Sequence, residues 1–301
     1  MITPIDYQPR NMAIELYQPR QFITSHDWTF GRDGNVNPVL HAQFSTEAGA
    51  YFDGYAKPFT LGDHLDSTVM MNEVTGWLLA RACGLPVPQK AFFIPLALAE
   101  LPPYTGKARL PHADGNGHIL SFVTEAVANT AVRAVYDTEL LVKEQSQWSQ
   151  CDQTITFDEG VANADRHAFN LLRRASGDFV LIDHGFLLHQ PNSSYPSHWE
   201  AGFLDRHLDH SFSNLLHHNT YTSMGRNAPA VRTEGCAIST KFAEKLESAL
   251  RSIMFETAFW CSKLLPGKSA SWLRFLYSRT QKQRLSALIA KRYGVLQLQD
   301  A

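Results

Sequence analysis

The chain has 301 residues, 44% of them hydrophobic, and a formal charge of −2. That is enough apolar material for one large domain or a two-lobed unit with real cores. The charge excludes binding to nucleic acid through the net field of the molecule, so no direct DNA binding is expected.

Four scattered cysteines, Cys83, Cys151, Cys236 and Cys261, form no CxxC pair. They fit a reducing cytoplasm better than a disulfide scaffold. The first residues show no basic region followed by an apolar core, and no apolar run approaches the ~18 residues of a membrane span. A cytoplasmic protein with neither a secretory leader nor a transmembrane segment is therefore expected.

In chain order, residues 1 to about 40 are mixed and rich in Gln, Pro and Asn, with a short echo, IDYQPR and ELYQPR. His41 to Phe59 predicts two short strands joined by a Ser/Thr/Gly turn. STVMMNEVTGWLLARACGLPVP predicts a helix capped by Ser67 and ended by Gly84 and Pro86. AFFIPLAL reads as a buried strand, the polar stretch to His118 as a loop, and HILSFVTEAV as another strand. From about residue 130 the pattern is mainly helical, interrupted by a hairpin around Ser176-Gly177-Asp178 and by the loop QPNSSYPSHW. The last third predicts two or more amphipathic helices. The fold class is therefore α+β: a small β-rich lobe (residues 1–125), a larger helical lobe (126–301), and a cleft between them.

VANADRHAFN and VLIDHG carry the candidate chemistry. Asn170 and Asp183 offer the hard oxygen ligands that Mg2+ prefers. The hairpin brings the end of its second strand beside the start of its first, so Asp183 is expected near Asn170. Asp165 stands where it can orient an attacking hydroxyl or accept its proton. A positioning carboxylate with an Asn and an Asp on metal is what phosphoryl transfer needs. In the small lobe, Lys57 on its strand can hold the phosphates of ATP as a point charge. Glu73, sixteen residues on, can pair with it. The turn Ser45-Thr46-Glu47-Ala48-Gly49 is a candidate phosphate cover through its backbone N–H groups, and ILSFVTE a candidate for holding adenine. Each piece has a plainer reading: a surface lysine, a solvated glutamate, a DxHxxN string that caps a helix. Their joint occurrence, in this order, favours the site.

NADRHAFN with LIDHG resembles the HipA-like kinases and also the DRHxxN catalytic loop of the phosphatidylinositol 3/4-kinases, within the broad protein-kinase-like fold. YAKPF followed by NEVTGWLLARACGLPVP resembles the HipA-like Lys-bearing strand, Asn-Glu helix and Gly-Leu-Pro-Val-Pro exit. The resemblance covers about residues 40 to 190. It implies that Lys57 holds the phosphates with Glu73 in support, that Asp165 is the catalytic Asp with His167 beside it in the loop, that Asn170 and Asp183 bind magnesium, and that Phe122, Val123, Thr124 and Glu125 form the hinge. It also implies an ATP/Mg2+-dependent kinase of protein Ser/Thr hydroxyls. Such a kinase can be the growth-arresting toxin of a toxin-antitoxin pair, with a translation factor as substrate and an antitoxin protein as partner. Three features depart from the pattern: only about 40 residues precede the first motif strand, the STEAG turn is poor in glycine, and Asp-His-Gly stands where protein kinases have Asp-Phe-Gly. Ser45 and Thr46 match a self-phosphorylated loop serine by location only.

Two further functions stay open: a lipid or small-molecule kinase with the same site, and an inactive nucleotide-binding scaffold. Between Lys241 and Arg292 the chain carries eleven Lys/Arg and three acids, readable as a solvated helical face or as a surface for an acidic partner. His184, His189, His198, His207, His210, His217 and His218 gather in the middle. His207 and His210 are spaced for a helical metal pair, but no Cys or carboxylate completes a zinc pattern. Trp148 and Trp199 stand in polar surroundings.

Overall fold

The computed structural model describes residues 11–29, 38–106, 110–128, 137–188, 201–212, 214–223 and 226–295. Its α+β fold divides into two units: Met1–Met71 with Pro88–Val127 and Lys263–Leu265, and Asn72–Val87 with Ala128–Ser262 and Pro266–Ala301. Asn72–Val87, which precedes residue 126 in the chain, thus groups with the mainly helical unit.

The first unit is built on a six-stranded sheet of β1 (Ile14–Leu16), β2 (Phe22–Thr29), β3 (Val39–Ser45), β4 (Tyr51–Phe59), β5 (Ala91–Ala97) and β6 (His118–Glu125). The order is β1-β5-β6-β4-β3-β2, with β1 parallel to β5 and the other pairs antiparallel. The strands expected from residue 41 onward are all present. β1 and β2 lie in the stretch that reads as mixed, because β1 is three residues long and two register shifts break the alternation of β2. Period-two patterning sends Leu40, Ala42 and Phe44 of β3 to one face, where they join Tyr17, Trp28, Ala56, Phe92, Ile94, Leu96 and Val123 in a buried core. Tyr17 stacks on Phe92 with centroids 4.0 Å apart. Each fully buried large apolar side chain contributes about 1.5–3 kcal/mol. The opposite face carries His41, Asp53, Tyr55, Lys57 and Thr124, as the register requires.

α1 (His64–Ala82) starts one turn earlier than the sequence suggests. Asp63 caps it, accepting the N–H groups of Leu65 at 2.9 Å and Asp66 at 3.0 Å. Ser67 is instead buried inside the helix. Gly84, at φ 72°, ends the helix, and Leu85 donates its N–H to Ala80 O before Pro86.

The second unit contains α2 (Thr138–Gln147), α3 (Cys151–Val161), the hairpin β7 (Leu171–Arg173) and β8 (Phe179–Leu181), α4 (Ala201–Arg206), α5 (Leu215–His218), most of α6 (Pro229–Leu264), α7 (Ser269–Thr280) and α8 (Lys282–Tyr293). Its core includes Trp77, Trp260 and Trp272, and Trp272 Nε1 donates to Thr75 Oγ1 at 3.0 Å. Trp148 is core as well, packed on Phe179. Trp199, His189, His198 and the loop QPNSSYPSHW lie outside the described residues.

Much of the basic C-terminal run pairs with acids or lies in the interior. Arg279 is fully buried; it donates to Glu159 and to the carbonyls of His207, Leu208 and His210. Arg292 pairs with Glu159, Lys282 with Glu244, Arg251 with Glu247, Arg274 with Asp205 and Arg284 with Asp209.

All four cysteines are free and buried. Burial pushes the thiols of Cys83 and Cys151 up to about 12 and that of Cys261 up to about 11. Among the described residues no helix is long and apolar enough to cross a membrane.

Candidate active site

One buried cation organises the segment between α3 and β8. Asp158 and Arg166 have no exposed side-chain surface. Arg166 Nε lies 3.3 and 3.2 Å from the two Asp158 oxygens, and a terminal nitrogen lies 3.1 Å from Oδ1. The same guanidinium donates to Asn170 O at 3.1 Å and to Ile182 O at 2.8 Å, and it contacts His184 Nδ1 at 3.2 Å. Only the planar fork of arginine reaches these groups at once. Asp158 also accepts from Asn163 Nδ2 at 2.9 Å and Asn214 Nδ2 at 3.2 Å. Burial pushes its carboxyl above the ordinary value, while Arg166, Asn163 and Arg292 pull it back.

The sequence-predicted residues of this unit hang on that frame. Asn163 Oδ1 accepts the N–H of Asp165 at 3.0 Å. Asn170 is buried, and its Nδ2 donates to Asp165 O at 3.0 Å, with Asp165 Oδ2 at 3.5 Å. That orientation leaves Asn170 Oδ1 as the atom for a cation. His167 caps the short 3-10 turn Ala168–Asn170: its Nδ1 accepts the N–H of Phe169 at 3.2 Å, which leaves Nε2 as the ring's other polar atom. The hairpin closes as expected, with Arg174 N–H on Asp178 O and Gly177 at φ 86°. Leu171 pairs with Leu181, and Ile182 N–H donates to Asn170 O at 3.1 Å, so Asp183 follows directly on a residue bonded to Asn170.

α1 braces the turn after Asp183. Glu73 Oε2 accepts the N–H of His184 at 3.0 Å, and Asn72 Nδ2 donates to the carbonyls of Gly185 and Leu187. Gly76 allows the closest approach: a Cβ there would lie 2.3 Å from His184 Cβ and Cγ. Of the four non-glycine residues with positive φ among those described, Ala162, Asp183 (φ 59°) and Leu188 fall in this segment. Backbone held in this sparsely populated region concentrates at functional sites because surrounding contacts must enforce it.

The first unit holds the remaining candidates. Lys57 sits on β4 opposite Phe122, which in turn pairs with Phe93. In the β3–β4 turn, Thr46 N–H donates to Ala50 O, Gly49 N–H (φ 82°) to Thr46 O, and Ala50 N–H to Thr46 Oγ1, while Ser45 O accepts from Gln21. These bonds engage the amides of Thr46, Gly49 and Ala50 within the turn itself. Phe122, Val123, Thr124 and Glu125 lie on β6, between β4 and β5. Their backbone groups serve the ladders, Glu125 N–H donates to Lys90 O, and Ala126 N–H donates to Asp53 O.

Sequence reasoning missed Arg166, Asp158, Asn163, Asn214 and Gly76. The sequence signal was the acidic pair Asp158-Glu159 beside the apolar residues Ile155, Phe157 and Val161; both acids are buried in the last turn of α3, which demands cationic partners. The spaced pair His207 and His210 packs on Phe203 and Phe212, and His207 Nδ1 contacts Phe203 O at 2.8 Å.

No protein-family model matches the chain, and no curated protein matches it significantly.

Proposed function

We propose that the chain is an ATP- and Mg2+-dependent phosphotransferase of the HipA-like, protein-kinase-like type, acting on a Ser or Thr hydroxyl of a protein. The observation that supports it most is the fixing of Asn170 and the Asp183 turn by one buried guanidinium and by Glu73, with Asp165 held in turn by Asn163 and Asn170. The oxygen donors of Asn170 and Asp183 suit a hard cation, and Mg2+ held there would neutralise charge on the phosphate oxygens. Asp165 is assigned to orient the acceptor hydroxyl and take its proton. Asn163 holds the Asp165 backbone, and Asn170 Nδ2 steadies Asp165 from its carbonyl side. Lys57 is assigned to the phosphates of ATP. His167 keeps the loop backbone in place through the Phe169 amide.

The protein acceptor, a translation factor as its identity, an antitoxin partner and a cytoplasmic setting rest on the sequence resemblance. Buried, unbridged cysteines agree with a reducing compartment. An anionic lipid surface is the less favoured acceptor, because Arg279 and Arg292 of the basic run are turned inward.

The test is transfer of labelled γ-phosphate from ATP with Mg2+ to the chain itself, to candidate proteins and to phosphoinositide vesicles. Native chain is compared with Asp165→Ala and Asp183→Asn. Label that needs both carboxylates supports the assignment, and its position identifies the acceptor. Asn tolerates the left-handed backbone of Asp183, so loss of Mg2+-dependent nucleotide binding in Asp183→Asn reads the lost carboxylate. Transfer that survives Asp165→Ala would refute the catalytic role.

A further inference from the structure

A second cluster of ligating side chains lies on the sheet of the first unit. His26 Nε2 and Asp53 Oδ1 are 3.4 Å apart, and the His26 and His41 ring centroids are 4.5 Å apart. One ligand atom from each of these three residues lies within 4.8 Å of the other two. The residues come from three adjacent strands, β2, β3 and β4.

The convergence has a structural cause. His41 pairs with Tyr55 and Gln43 with Asp53, so His41 and Asp53 share the face opposite the aromatic core. Regular alternation from the buried Trp28 would send His26 into that core. The register shift between Ser25 and Asp27 prevents this: Ser25 pairs with Ala42 and Asp27 with His41, leaving His26 as the inserted residue of a bulge. A bulge re-aims a side chain, and here it turns His26 onto the face of His41. His41 is steadied by stacking on Tyr55 with centroids 4.9 Å apart, and the Asp53 carbonyl by the Ala126 N–H at 2.8 Å.

We propose that His26, His41 and Asp53 form a binding site for a divalent transition-metal ion of the zinc class, clipping the edge strand β2 to β3 and β4. Two imidazoles and one carboxylate select such ions over Mg2+ or Ca2+. Tetrahedral bonds of ~2.0–2.1 Å set neighbouring ligand atoms roughly 3.3 Å apart. His26 and Asp53 already stand at 3.4 Å. The wider separations close by rotation of side chains that are 41% exposed at His26 and 47% at Asp53. Three protein ligands leave one position for water or an exchangeable anion. The site is independent of phosphoryl transfer and is read without ATP.

The full chain, stripped by chelator and dialysed, is titrated with Zn2+ by calorimetry and with Co2+ followed by visible absorbance; Mg2+ is the control. The expected result is one tight equivalent with a four-coordinate Co2+ spectrum, absent with Mg2+. His41→Gln and Asp53→Asn should each weaken binding by more than about tenfold, as loss of a ligand exceeds the effect of losing an outer-shell partner. Zn2+ should raise the thermal transition of the native chain and leave those of the variants in place. Circular dichroism without metal checks their fold, and the exposed His26→Ala replaces either variant that fails to fold. The thirteen histidines of the chain supply the competing outcome. If every variant binds with native stoichiometry and affinity, the metal sits elsewhere and the assignment is overturned. Failure of the native chain to bind Zn2+ or Co2+ overturns it as well.

Discussion

Replacing Arg166 by Met should be among the most damaging changes available in the second unit. The side chain removed is fully buried, donates to both oxygens of Asp158, and reaches Asn170 O at 3.1 Å and Ile182 O at 2.8 Å. Methionine fills part of the volume but leaves a buried carboxylate whose remaining hydrogen-bond partners among the described residues are Asn163 and Asn214, with Arg292 acting on it electrostatically. Breaking a buried pair from one side costs about 3–5 kcal/mol. Against a total stability of about 5–15 kcal/mol, the thermal transition should fall by roughly 6–20 °C. Urea unfolding followed by circular dichroism and tryptophan fluorescence measures the loss. The double variant Asp158→Leu/Arg166→Met should recover part of it, since an apolar pair tolerates the site that a lone charge does not. Recovery stays partial because the carbonyls of Asn170 and Ile182 lose a donor, at about 1–3 kcal/mol each if they remain buried. A single-variant cost below about 1 kcal/mol, or strictly additive single costs, would show that the guanidinium does not organise the loop.

Two further outcomes follow from the same unit. Gly76→Ala should destabilise by about 1–3 kcal/mol through the clash with His184, although glycine-to-alanine inside a helix ordinarily stabilises by about 1 kcal/mol; a stability gain in chemical denaturation would remove Gly76 from the bracing role. His217 is held down to about 3, first by burial and then by Arg292, Arg232 and His218. Above the ordinary histidine value both folded and unfolded chains carry the neutral ring. As pH falls from about 6.5 only the unfolded chain takes the proton, so stability drops by up to about 1.4 kcal/mol per pH unit until the folded value is reached. His217→Phe should flatten that slope in pH-dependent unfolding, and an unchanged slope would assign the loss to other groups.

Legibility in the sequence tracked periodicity. β3, β4, β5 and β6 were readable because their apolar residues alternate or run together and are bounded by turn residues. The hairpin was readable because Gly177 sits between two apolar runs. β2 was not, since its register shifts reverse the alternation partway along. The same bulge hides the clustering of His26, His41 and Asp53, which no spacing rule joins. At the candidate site, Asp165, His167, Asn170 and Asp183 announce themselves by type and spacing. Arg166 stands among them and passes as ordinary, because its role comes from Asp158 on another element. The helix starts at His64 rather than after Ser67 for a local reason: Ser67 and Asp63 are both competent caps, and the hydrogen bonds to Leu65 and Asp66 decide for Asp63.

The placement of the cysteines gives the protein a built-in chemical clock. Cys83, Cys151, Cys236 and Cys261 all belong to the second unit. Buried and held protonated, they react slowly with alkylating reagents until that part of the chain opens. The first unit has no thiol, and of the six tryptophans it holds only Trp28. Timed alkylation read by mass therefore follows the opening of the helical unit alone, residue by residue. Changes that loosen the first unit leave this signal untouched unless its opening propagates.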